Sequence, residues 1–120
     1  MNQLWQFVAL LAVHYVGDFI LQTHWQASNK SKRLDALIKH VLIYTGVLFL
    51  ASWLLFWDTA AVARFTLANG LLHFGTDYVT SRWTSRLYAK QDWHNFFVVI
   101  GLDQLIHQTT LAVTMWALFS

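Results

Sequence analysis

Four apolar segments, at about residues 4–26, 36–57, 60–82 and 94–119, take up nearly all of this 120-residue chain. Each can supply the ~20 residues that a bilayer-spanning helix needs. No proline interrupts them, so nothing in the sequence forces a kink. A soluble helical bundle would carry a polar face on every helix, and these segments show little of one. With 57% of residues apolar and only 12% charged, the composition also departs from that of soluble domains. The expected fold is all-α: one transmembrane domain over residues 1–120, built as a four-helix bundle in the lipid bilayer. The first segment is read as part of the mature protein, because Met1-Asn2-Gln3 carries no positive charge and the apolar stretch contains Asp18.

Orientation follows from the basic residues. Lys30, Lys32, Arg33 and Lys39 lie near the first connection, and Arg82, Arg86 and Lys90 near the third, whereas the second has only Arg64. The excess of positive charge places two short basic loops in the cytoplasm and both termini outside, in a multi-pass membrane protein. Tryptophans fit the same frame, with Trp25, Trp83 and Trp93 at one interface and Trp5, Trp53, Trp57 and Trp116 at the other. The net charge of +2 does not point to nucleic acid, because the cations form no continuous face.

Inside these spans stand groups that are costly there. The first segment holds His14-x-x-x-Asp18 with Gln22 one turn on, and the third holds His73-x-x-x-Asp77 with Asn69 one turn before. Residues four apart share a helix face, so each motif makes one polar stripe. The fourth segment inverts the order to Asp103-x-x-x-His107. Since that helix runs the opposite way, the inversion brings all three Asp and all three His into register. His40, with Tyr44 one turn deeper, adds the second helix to the same layer.

Ionisable groups within a span usually face the bundle interior and serve a function. Imidazole and carboxylate together suit a divalent zinc, iron or manganese ion, and a chain without cysteine offers no thiolate. A cation among three carboxylates also offsets their mutual repulsion and desolvation. Three other readings compete. The layer could be polar glue between helices, a proton or cation path, or a haem site, which leaves the carboxylates unexplained. The sequence contains no glutamate, which excludes the Glu-rich di-iron pattern of ferritin-like bundles. No HExxH, GxSxG, Walker A or GxGxxG motif occurs.

The stretches HYVGDFILQTHWQASNKSK, KHVLIYT, HFGTDYVTSR and LDQLIHQTTL, in that order, resemble the small bacterial membrane proteins grouped as domain-of-unknown-function family 3307. The resemblance covers almost the whole chain. It implies a site at His14, Asp18, Gln22, Lys30, His40, His73, Asp77, Asp103, Gln104 and His107, and it implies no particular reaction.

The sequence therefore predicts a metal site, mono- or dinuclear, with His14, Asp18, His40, His73, Asp77, Asp103 and His107 as ligands. Gln22, Asn69 and Gln104 are expected to orient ligands or substrate, and Lys30 and Arg82 to attract an anionic headgroup. The expected activity is metal-dependent hydrolysis of a lipid or lipid-linked substrate from the cytoplasmic side, by a metal-bound water, with Asp18 and His40 as catalytic groups. The alternative is a non-enzymatic membrane protein, a metal or proton pathway or a small subunit of a complex, in which the layer is structural or conducting. The nearly apolar outer halves of the first and third segments favour a closed pocket over a pore. An oligomer is compatible with either.

Overall fold

The computed structural model describes residues 2–120, so Met1 lies outside it. The described residues form helices and turns with no strand. The order is α1 (Gln3–Tyr15), a π-helical turn (Val16–Ile20), α2 (His24–Asn29), α3 (Leu34–Phe56), α4 (Thr59–Ala89) and α5 (Trp93–Phe119). The all-α expectation holds, with five helices where four were expected. Two of them, α3 and α5, are long and apolar enough to cross a membrane.

The first segment departs most from expectation. It does not continue to residue 26: the backbone widens after Tyr15, and the Leu21 amide donates to the Val16 carbonyl, five residues back, at 2.9 Å. A new helix then starts on a capping box. Thr23 Oγ1 accepts from the Gln26 amide at 3.1 Å, and Gln26 Oε1 accepts from the Thr23 amide at 3.2 Å. Helix α2 packs against the start of α3. Arg33 and Lys39 lie over the Trp25 ring, at 5.6 Å and 5.0 Å from its centre. The first basic connection is thus a short helix folded back under the longer ones.

The third segment is longer than expected. Helix α4 runs to Ala89, so Arg82 and Arg86 are helical and the connection to α5 is only Lys90–Asp92. The stretch RWTSRLYA loses hydropathy without losing helix propensity, which is why the apolar boundary missed the helix boundary. Asp58 and Asp92 cap α4 and α5 by accepting from the amides of Ala61 and Asn95. The Asn95 side-chain and backbone hydrogen bonds also hold the Asp92 carboxyl below the usual carboxylate range.

Helix α1 packs on α3 and α5, α3 on α4, and α4 on α5, closing a ring. Chain ends meet at one end of the molecule, where the Gln3 side-chain amide donates to Ser120 Oγ at 3.0 Å. Next to them Phe56 and Phe119 stack at 3.8 Å, followed by a core of Leu10, Leu48, Phe65, Leu111 and Met115. Deeper still the interior turns polar: His14, Asp18, His40, His73, Asp77 and His107 are all buried. The outside is the reverse, with Leu42, Leu67, Leu71, Leu105, Phe97 and Trp116 all well exposed. This molecule is apolar outside and polar at its centre.

At Gly70 helix α4 comes close to α3. A Cβ there would stand 2.7 Å from Thr45 Oγ1 and 3.2 Å from its Cγ2. Thr45 cannot easily move, because it is β-branched and its hydroxyl donates to the Val41 carbonyl at 2.7 Å. Gly70→Ala is expected to destabilise the protein by about 1–3 kcal/mol through overpacking. Adding Thr45→Ala should recover most of that loss in a thermal double-mutant cycle. Simple additivity of the two changes would show that the approach is not the limiting contact.

Candidate metal centre

Four atoms converge where α3, α4 and the π-helical turn meet. His40 Nε2 lies 3.0 Å from Asp18 Oδ1, 3.2 Å from His73 Nε2 and 3.3 Å from Asp77 Oδ2. His73 Nε2 lies 3.3 Å from Asp18 Oδ1 and 3.2 Å from Asp77 Oδ2. These are five of the six edges of a tetrahedron. For ligand bonds of about 2.0 Å, the edge of a tetrahedral metal site is about 3.3 Å. Each imidazole nitrogen has three polar neighbours at these distances, and a single N–H can be directed at only one of them. One cation at the centre would engage all four donors together. The residues are 0–4% exposed, so all four donors are buried.

Local structure explains the convergence. Asp18 sits in the π-helical turn, where the widened backbone carries its side chain across to α3 and α4. Gly17 in that turn packs on Tyr44, and a Cβ there would stand 3.0 Å from Tyr44 Cδ2. His73 and Asp77 come from one face of α4. His73 lies between two rings, Tyr44 at 4.1 Å and His107 at 4.0 Å. The Nδ1 atoms of His40 and His73 are buried without a hydrogen-bond partner, so stacking holds the His73 ring.

Helix α5 supplies the other side. His107 Nε2 is 3.0 Å from Asp77 Oδ1 and 3.2 Å from Asp103 Oδ2. Gln104 Nε2 donates to Asp18 Oδ2 at 2.8 Å and to Asp103 Oδ2 at 3.0 Å. The Thr80 hydroxyl is 2.6 Å from Asp103 Oδ1. Because both carboxylates only accept, the Gln104 amide must turn its nitrogen toward them and its Oε1 toward His14. His14 Nε2–H then donates to that oxygen at 2.7 Å, which leaves Nδ1 to accept from the Tyr44 hydroxyl, also at 2.7 Å. Both nitrogens of His14 are engaged.

The residues singled out from sequence divide accordingly. Asp18, His40, His73 and Asp77 come together, as do Asp18, Asp103 and His107. Gln104 touches two carboxylates and His14, as an orienting group should. His14 joins the layer as a hydrogen-bonded relay and stands 3.7 Å from Asp18 Oδ2. His40 is fully buried in the tetrad, a position that suits a ligand more than an acid or base exchanging protons with solvent.

Two of the singled-out residues lie away from the layer. Asn69 is one turn away from the layer: it donates to the Phe65 carbonyl at 2.9 Å and to Thr114 Oγ1 at 2.8 Å. Arg82 faces outward, bonded to the Tyr78 carbonyl and lying 3.6 Å over the Tyr78 ring. Lys30, by contrast, reaches in from the end of α2 to Asp77 Oδ2 at 3.4 Å. Thr80 was missed, although it follows Asp77 by three residues and extends the stripe begun by His73. Tyr44, in register with the layer by sequence, serves His14 Nδ1 through its hydroxyl.

A cavity of about 560 Å³ leads from this layer toward the end of the molecule that carries α2. Asp18, Asp103 and Gln104 form its inner end, and Lys30, Ser81 and Ser85 are among its wall residues. Gln22 also lines it, with Oε1 buried and unpartnered. A family of proteins of unknown function, DUF3307, matches this chain over residues 6–120. The chain belongs to that family. No curated protein and no solved structure matches it significantly. In this DUF3307 protein the geometry is therefore the guide to chemistry.

Tyr44→Phe keeps the stacking on His73 and removes only the hydroxyl that serves His14 Nδ1. It is expected to cost about 1–3 kcal/mol, the penalty for a buried polar atom left unpaired, measured as a lower unfolding midpoint in detergent. An unchanged midpoint would contradict the relay from Gln104 through His14.

Proposed function

We propose that this DUF3307 protein is a multi-pass protein of the bacterial inner membrane that holds a divalent ion in its His/Asp layer and uses it to hydrolyse a lipid or lipid-linked substrate. The observation that carries the reading is the convergence of His40, His73, Asp18 and Asp77 with the edge lengths of a tetrahedral site. Zinc suits four nitrogen and oxygen donors at that spacing, and iron or manganese fits the same donor types.

A membrane setting is supported by the inverted distribution of polarity, with leucine, phenylalanine and tryptophan outside and histidine and aspartate within. Such a surface would aggregate in water, whereas in lipid it faces its own kind. Helices α3 and α5 carry this reading by length and apolarity. Helix α1 with its π-helical turn, and the first two-thirds of α4, would complete four passes. The meeting of Gln3 and Ser120 at one end supports placing both termini on one side. The basic residues at the other end favour the cytoplasm for that end.

For hydrolysis, the cavity supplies what an ion alone does not. Asp18 belongs both to the tetrad and to the cavity, so substrate and water entering there reach the centre directly. A bound ion lowers the proton affinity of its water toward neutrality. Lys30 and Lys32, with the wall hydroxyls, suit an anionic headgroup. The competing reading is a conducting or purely structural layer. Conduction is disfavoured by the apolar side chains of Leu10, Leu48, Phe65 and Leu111, all fully buried, which close the route toward the chain ends.

Detergent-purified protein should retain divalent metal in at least equimolar amount. Asp77→Asn should reduce retention about tenfold or more, as loss of a ligand does, while Asn69→Ala should leave it unchanged. In vesicles of anionic phospholipid the wild type should release a metal-dependent hydrolysis product, and Asp18→Asn should slow that release by about 10²-fold or more. Metal retention without any product would favour the non-enzymatic alternative, and absence of retained metal in folded protein would overturn the site.

A further inference from the structure

The rings of His73 and His107 are stacked 4.0 Å apart and only 11° from parallel. Their Nε2 atoms meet the same carboxylate, one on each oxygen: His73 at 3.2 Å from Asp77 Oδ2, His107 at 3.0 Å from Asp77 Oδ1. Lone pairs of two parallel imidazoles facing the same way do not converge on one point. They aim at two points side by side, separated by roughly the stacking distance, which is close to the 3.5–4 Å of two-metal sites. A carboxylate with one oxygen on each point is the ordinary bridge of such a pair.

Asp18 repeats the pattern. Its Oδ1 belongs to the tetrad with His40 and His73, while its Oδ2 is turned toward Gln104 and the α5 side. There Asp18, Asp103 and His107 each offer a ligand atom within 4.8 Å of the others. Gln104, donating to both Asp18 and Asp103, holds the two carboxylates at a common point, and each oxygen keeps a further lone pair.

We propose that the centre is dinuclear: a second divalent ion is held by His107 and Asp103, and Asp77 and Asp18 bridge it to the first. This rests on the metal reading of the tetrad and adds a division of labour. The first position has four protein donors and is enclosed, as structural sites are. The second has the same number, two of its own and the two shared carboxylates, but borders the cavity through Asp18 and Asp103, whose side chain is 12% exposed. It is the position with room for water or substrate, as catalytic sites require.

The test is equilibrium dialysis of the detergent-purified wild type against Mn2+, with metal counting and low-temperature electron paramagnetic resonance on the same samples. The expected result is about two ions per chain with an exchange-coupled spectrum, as for a carboxylate-bridged pair. Asp103→Asn and His107→Gln should each keep about one ion and give the six-line spectrum of isolated Mn2+. About one ion with an uncoupled spectrum in the wild type would overturn the second position and leave the tetrad standing. No bound ion in the wild type would overturn both. The wild-type count and spectrum decide this even if neither variant folds.

Discussion

Three aspartates drawn into one buried layer set the terms for everything else in this molecule. Asp77 is the extreme case, 1% exposed and facing His40, His73, His107 and Lys30. Removing a partner from a buried charge of this kind costs about 3–5 kcal/mol, because the remaining charge keeps its desolvation penalty. The fold is organised around supplying those partners. Helix α2 doubles back so that Lys30 reaches Asp77, the π-helical turn carries Asp18 across the bundle, and Gln104 ties Asp18 to Asp103. Even the relay to Tyr44 follows from the carboxylates, since they dictate which way the Gln104 amide turns.

The polar layer also answers what holds the helices together. Where the surroundings are as apolar as the side chains, hydrophobic burial gives helices no reason to associate, and packing of small residues and interhelical hydrogen bonds take over. Gly70 against Thr45 and Gly17 against Tyr44 provide the close approaches. The links from His107 to Asp77, His40 to Asp18 and Asn69 to Thr114 cross between helices. A metal centre at the middle of this arrangement would act as a staple as well as a reagent, and the apolar core toward the chain ends keeps it closed on that side.

Much of this was legible in the sequence because register on antiparallel helices is simple geometry. The inversion from His-x-x-x-Asp to Asp-x-x-x-His puts Asp18, Asp77, Asp103, His73 and His107 in one layer, and they do share it. What escaped was whatever depends on local backbone rather than on period. The break after Tyr15 has no proline to announce it, and the Thr23–Gln26 capping box that restarts the helix lay inside an apolar-looking stretch. Arg82 sits two residues beyond the buried Thr80, yet its side chain lies over Tyr78 on the outer surface. Asn69 is on the right face of α4 but too far along it, so a stripe extended by one turn overshot the site. Hydropathy misplaced the end of α4 because it reports where apolar side chains end, and a helix can continue past them.

His40, His73, Asp18 and Asp77 are the proposed ligands of a divalent ion. Zinc-edge X-ray absorption of the detergent-purified protein tests this assignment most directly. A first shell of about four nitrogen and oxygen scatterers at about 2.0 Å, with the outer-shell scattering of imidazole, is the expected result. A shell of six oxygens at longer distance without imidazole features, unchanged by His73→Gln, would mean a loosely held hydrated ion and contradict it.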